Sequence, residues 1–281
     1  MAVDLETAAD TQQRDNLCGP YWGAQLLVRA GVAVAARPPA GEPAGPPAGP
    51  PAGEPAGEPV PVDQDLVALW AGSTLPDCEG DWVPPAASAL RGYRYELPVA
   101  PPGEAGTSAP ALAEAIEALA GGALRVTPLT GRWTSEKVER LVDAVTIGGG
   151  WLLANLRTGL LWGSRPHPDV LEAELRGEPQ DGPPADWDAG HFVELRLLVR
   201  GPGGSLVVVG DSYPSLGWRG RHLQPPRAVA AALQRTDGHG GGVLVVSAPE
   251  RSGAWARLPG ELGLEIAKWD NGSRRARRER T

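Results

Sequence analysis

Four residues, in chain order, have the types that acyl transfer needs: an amide at Gln12, a thiol at Cys18, an imidazole at His191 and a carboxylate at Asp211. Cys18 is followed by Gly19-Pro20 and then by the apolar run Tyr21 to Val28. That run reads as a helix reaching about Ala30, with Gly31 as its stop. Pro20 suits the first turn, where a missing N–H costs nothing. The free N–H groups and partial positive charge of a helix N-terminus stabilise a thiolate, so Cys18 is placed as a nucleophile. Gln12, six positions before Cys18, would offer an amide donor to an oxyanion.

The other half of the site falls on a hairpin. His191 to Arg200 reads as a strand, Gly201 to Gly204 as a turn and Ser205 to Asp211 as the returning strand. With those four residues as the loop, paired positions sum to about 405 and Asp211 lies opposite Glu194. A small shift of register then sets it beside His191, where a carboxylate fixes the tautomer and stabilises the imidazolium. Asp186 and Asp188 are fallback acids. His167 sits in a Pro-rich loop, His222 in a charged turn and His239 in Gly-rich sequence; none of the three starts an apolar strand. Cys78 lies between Asp77 and Glu79, whose charges disfavour its thiolate. The bland alternatives are a buried small hydrophobe for Cys18, a structural histidine for His191 and a turn residue for Asp211.

The remaining pattern supplies the scaffold. Short helices are predicted over 65–72, 111–119, 134–145 and 225–234. Strands are predicted over 92–98, 125–129 and 151–156, with 242–247 as a closing strand. Residues 1–11 are a short helix or an unstructured lead, and 164–186 a second polar, Pro-rich loop. The repeated Pro-Ala-Gly-Glu units of 37–61 have no apolar face and predict a disordered insertion. The chain then divides into 1–36 with the nucleophile helix, the insertion 37–61, the remaining catalytic domain 62–250, and an extension 251–281 with a basic, disordered tail.

Gln12, Cys18-Gly19, Gly190-His191-Phe192-Val193 and Gly210-Asp211 together resemble the papain-like cysteine peptidase superfamily, most of all the branch of bacteriocin leader (double-glycine) peptidases. The resemblance covers the first thirty residues and roughly 135–248. It implies an α+β fold, with the cysteine helix packed on an antiparallel sheet that carries His and Asp. It also implies oxyanion donor, nucleophile, general base and orienting acid for Gln12, Cys18, His191 and Asp211 in turn. The implied activity is hydrolysis of a peptide bond, with precursor processing as the role. Two rivals keep the same fold: an inactive peptide-binding module, and an acyl or peptidyl transferase using the same thiol.

Composition bounds the partners. A formal charge of −8 over 281 residues argues against nucleic acid as the main partner, although the Arg-rich tail from Arg274 is basic. No apolar run reaches the length of about 18 residues that a membrane span needs. Acids occupy the first residues where a signal peptide is basic, so the expected location is cytoplasmic and no structural disulfide is expected. Two Cys and four His lack short ligand spacing, and no metal or cofactor is expected. The expected partner is a peptide or protein substrate.

Overall fold

The computed structural model describes residues 12–32, 34–35, 60–78 and 92–276. The expectations for the lead 1–11, for 37–59 of the insertion and for the tail beyond 276 lie outside the described residues.

The helix that begins at the thiol, α1 (Cys18–Arg29), is buried almost all round, with Tyr21, Trp22, Ala24, Leu26 and Leu27 in the core. A helix apolar on every side is a core helix. It packs on α2 (Gln64–Ala71), α3 (Ala109–Ala120) and strand β7 (Gly190–Arg200). Close approach depends on Gly19 and Gly23, one turn apart. A Cβ at Gly19 would lie 3.1 Å from Leu112 and Phe192, and one at Gly23 3.0 Å from Val67. Side-chain caps fix the starts of α2, α3, α4 (Ser135–Ile147) and α5 (Pro168–Leu175). Asp63 accepts from Leu66 N–H at α2, Ser108 from Ala111 N–H at α3, and Thr134 from Lys137 N–H at α4.

A seven-stranded sheet runs in the order β11-β5-β10-β6-β7-β8-β9, with every neighbouring pair antiparallel. Its members besides β7 are β5 (Arg125–Thr130), β6 (Trp151–Arg157), β8 (Ser205–Gly210), β9 (Arg221–Gln224), β10 (Gly242–Ser247) and β11 (Glu265–Ile266). Two-residue ladders pair β1 (Val34–Ala35) with β2 (Val60–Pro61) and β3 (Leu75–Pro76) with β4 (Val99–Ala100). Side chains alternate across the sheet. Leu153, Phe192, Leu244 and Val246 face α1–α3, while Leu152, Ala154, Val193, Val207 and Val245 face α4 and α6 (Pro226–Gln234). The architecture is a mixed α+β fold built on an antiparallel sheet. Among the described residues no helix is long and apolar enough to cross a membrane.

Four expectations need correction. Residues 92–98 form no strand; only Val99–Ala100 pairs. The Pro-rich loop contains α5 (Pro168–Leu175), started by His167, whose Nδ1 accepts from Asp169 N–H. β10 is not a closing strand but lies between β5 and β6. Residues 251–276 are no mere extension. They include α7 (Leu258–Leu262), β11 on the sheet edge and a buried Trp269.

Candidate active site

The hairpin register decides whether a carboxylate can reach His191. Near the turn the pairs sum to 405, as in Arg200↔Ser205 and Leu197↔Val208. A β-bulge between Leu195 and Leu197 then changes the sum to 404, as in Leu195↔Val209 and Glu194↔Gly210. Continued by one residue, this register sets Asp211 level with Val193 instead of Glu194. Alternation puts Val193 on the same side of β7 as His191, so the extra residue, Arg196, carries Asp211 to the histidine's side. His191 Nε2 lies 3.1 Å from Asp211 Oδ1, and each side chain is only 2% exposed. Oδ1 also accepts from Tyr213 N–H at 3.0 Å. Trp187 meets the imidazole edge-on at 4.9 Å and the Tyr213 ring stacks on it at 5.8 Å, so the pair is shielded from water by two aromatics.

Cys18 completes the group. Cys18 is half-buried, and its Sγ interacts with the His191 side chain and with the backbone N–H groups of Phe192 and Gly19. No side chain caps the N-terminus of α1. Burial works to raise the Cys18 thiol, but the His191 charge and these hydrogen bonds outweigh it, and the thiol lies below its ordinary value. Burial alone would lower His191, yet the charges of Asp211 and Cys18 hold it above the usual imidazole range. Asp211 is held far below the usual carboxylate range: burial opposes this, and His191 dominates. All three shifts favour the charged form of each group: the thiolate of Cys18, the imidazolium of His191 and the carboxylate of Asp211. Cys78, the other thiol, is exposed and free of any disulfide.

The amide at the site is Gln13, not Gln12. Gln12 is exposed, while Gln13 is 2% exposed and lines the same cleft as Cys18 and His191. The cause is local. Gln64 accepts from Arg14 N–H at 2.7 Å and donates to the Gln12 carbonyl at 2.9 Å, clamping the backbone on both sides of residue 13. Leu17 N–H then bonds back to Arg14 O at 3.1 Å, through a left-handed Asn16 (φ 62°), and this turn delivers Cys18 to its helix. Gln13 Nε2 donates to Tyr213 Oη at 3.1 Å, and its Oε1 accepts from Ser212 Oγ. Nothing but the adjacent glutamine pair marked this position in the sequence, and a spacing rule picks the wrong member by one residue.

The fallback acids are engaged elsewhere. Asp188 grips Arg157 through two hydrogen bonds of 2.5 and 3.0 Å, and Asp186 accepts from Ser164 N–H at 2.7 Å. A cleft of about 700 Å³ opens from Cys18 and His191 toward Asn155, Asn271 and His239. Along it the ion pairs alternate: Asp188–Arg157–Asp237–Arg235. Arg235 has a left-handed backbone (φ 50°), and its side chain is 3% exposed. It lies beside Gly190, where a Cβ would be in ordinary van der Waals contact with its guanidinium at 3.4 Å.

No curated protein and no solved structure matches this chain. A family model does, over residues 2–270, a span that holds Gln13, Cys18, His191 and Asp211. The chain belongs to the family of unknown function DUF6885.

Proposed function

We propose that this chain is a papain-like cysteine hydrolase that cleaves a peptide or related amide bond. The observation that carries the proposal is the coupled set Cys18, His191 and Asp211 at one end of an open cleft, with the thiol lowered and the imidazole raised. In the reaction the Cys18 thiolate attacks the substrate carbonyl carbon. The tetrahedral oxyanion takes hydrogen bonds from the Cys18 backbone N–H and from Gln13 Nε2. His191 passes its proton to the leaving amine, the C–N bond breaks, and a thioester on Cys18 remains. Water then gives a proton to His191 and attacks the thioester. Collapse of this second tetrahedral intermediate expels the Cys18 thiolate and releases the acid, and His191 keeps the proton, which restores the thiolate–imidazolium pair. Asp211 keeps the imidazole oriented and stabilises its charged form throughout.

The test uses a Cys78→Ser background, so that one thiol remains. Iodoacetamide should label Cys18 rapidly below neutral pH, and His191→Ala should move that reactivity to the pH range of an ordinary thiol, near 8.5. Peptide-library cleavage should be abolished by Cys18→Ala and by His191→Ala. Slow labelling at pH 6 that His191→Ala leaves unchanged would remove the nucleophile and the proposal with it.

A further inference from the structure

Behind Asp211, on the side away from His191, stands a second buried histidine. His222 pairs with Val209 and Gln224 with Val207 across β8 and β9, so alternation puts both on the face that carries Asp211. His222 Nε2 lies 3.9 Å from Asp211 Oδ2, a contact longer than a direct hydrogen bond. His222 and Gln224 are both buried.

The hydrogen bonds fix which ring nitrogen carries the proton. Trp162 N–H donates to Gln224 Oε1 at 2.8 Å, and Gln224 Nε2 donates to Trp162 O at 2.9 Å. These two backbone contacts orient the amide without ambiguity. The same Nε2 lies 2.9 Å from His222 Nδ1. An amide nitrogen can only donate, so Nδ1 must accept, and the His222 proton sits on Nε2. The N–H dipole therefore points at the one carboxylate oxygen of Asp211 that His191 does not use.

We infer that His222, locked by Gln224, is a positioning residue for this site: its Nε2–H holds the rotation and charge of Asp211 so that Oδ1 meets His191. The inference rests on the thiolate–imidazolium reading above. Asp211 shows the expected direction, since His222 acts after His191 in holding its carboxyl low. The other charged or titratable groups facing Asp211 are His191, Tyr21, Tyr213 and, round a small cavity beside it, Arg196, Arg219 and Arg221.

The test is the pH profile of Cys18 alkylation in the Cys78→Ser protein, with thermal melting as a control for folding. His222→Phe keeps the ring and removes the donor. Its acid limb should move up by about half a pH unit, because a weaker Asp211 lowers His191 and raises Cys18. His222→Gln, whose amide reaches about as far as Nε2, should restore the wild-type limb, which a purely structural histidine would not require. Gln224→Leu removes the tautomer lock and should shift the limb as His222→Phe does; it serves alone if His222→Phe does not fold. Wild-type limbs in folded His222→Phe and Gln224→Leu would overturn the inference. A limb that His191→Ala also leaves in place would instead overturn the thiolate–imidazolium reading itself, so the two failures are told apart.

Discussion

Gln13→Ala separates the geometry of this site from the spacing rule that favours Gln12. Gln13 makes two buried side-chain hydrogen bonds, to Tyr213 Oη and from Ser212 Oγ. They tie the segment before the nucleophile to the turn after Asp211, across 200 residues of sequence. Each such bond is worth about 1 kcal/mol net, and Ser212 loses its acceptor, so the expected loss of stability is about 2–3 kcal/mol. For a chain of this size that lowers the melting temperature by roughly 5–10 °C. Gln12→Ala should cost under about 0.5 kcal/mol: its side chain is exposed, and the carbonyl that Gln64 binds belongs to the backbone. Two reactions of Cys18 isolate the chemical role. Acylation by p-nitrophenyl acetate passes through an oxyanion; alkylation by iodoacetamide does not. Gln13→Ala should slow acylation by about 10²–10³-fold, the usual loss for one oxyanion donor, and leave alkylation nearly unchanged. Stopped-flow release of nitrophenolate reads the first and mass spectrometry the second. Equal slowing of both would mean that Gln13 positions the thiol and does not stabilise the oxyanion. A larger drop in Gln12→Ala would refute the placement altogether.

Two further outcomes concern the scaffold. Asp237→Asn leaves the Arg235 guanidinium, 3% exposed, without its carboxylate, and should destabilise by about 3 kcal/mol in urea titration at pH 7. Asp237 is lowered to about 2 in the folded protein: burial opposes the shift, and Arg235 is the main partner that outweighs it. A depressed carboxylate stabilises fully above its unfolded value of about 3.9 and loses that contribution as pH falls through its folded value. The gap between wild type and Asp237→Asn should therefore narrow toward pH 2; a constant gap would contradict the pairing. Trp269→Ala should cost about 3–5 kcal/mol, because this ring packs on Gly242 in the middle of the sheet. A cost below about 1 kcal/mol would mean that 251–276 adds little to the core.

The helices were the legible part of the fold, because their signals are local. Asp63, Ser108 and Thr134 are capping residues at helix starts, and Gly31 adopts the left-handed backbone (φ 82°) that a helix stop needs. What escaped depends on distant partners. β11 is two residues long and exists because β5 offers it an edge. Pro168 looked like part of a breaker-rich loop, yet proline is welcome at the first position of a helix, and that is where it sits in α5. Gln12 and Gln13 are the same residue type in adjacent positions. Only the clamp from Gln64, 50 residues away from Arg14, decides which one turns inward.

The hairpin shows most sharply where local reading stops. The turn Gly201–Gly204 is plain in the sequence, and so is the register it starts, with pairs summing to 405. Carried unbroken to the open end, that register sets Asp211 beside Glu194, on the face where Glu194 instead binds Arg29 of α1 at 2.6 Å. A single inserted residue reverses the facing of everything beyond it. No residue in Glu194-Leu195-Arg196-Leu197 announces a bulge, since the alternation of polar and apolar residues runs through it unbroken. The constraint comes from the far end. His191, Asp211, His222 and Gln224 must lie on one face for the chain of polar contacts from Cys18 to Trp162 to close; β8 and β9 already put Asp211 with His222 and Gln224, and only the shifted register brings His191 to them. The bulge is thus a condition of the site, and its position can be derived only from the His191–Asp211 contact it makes.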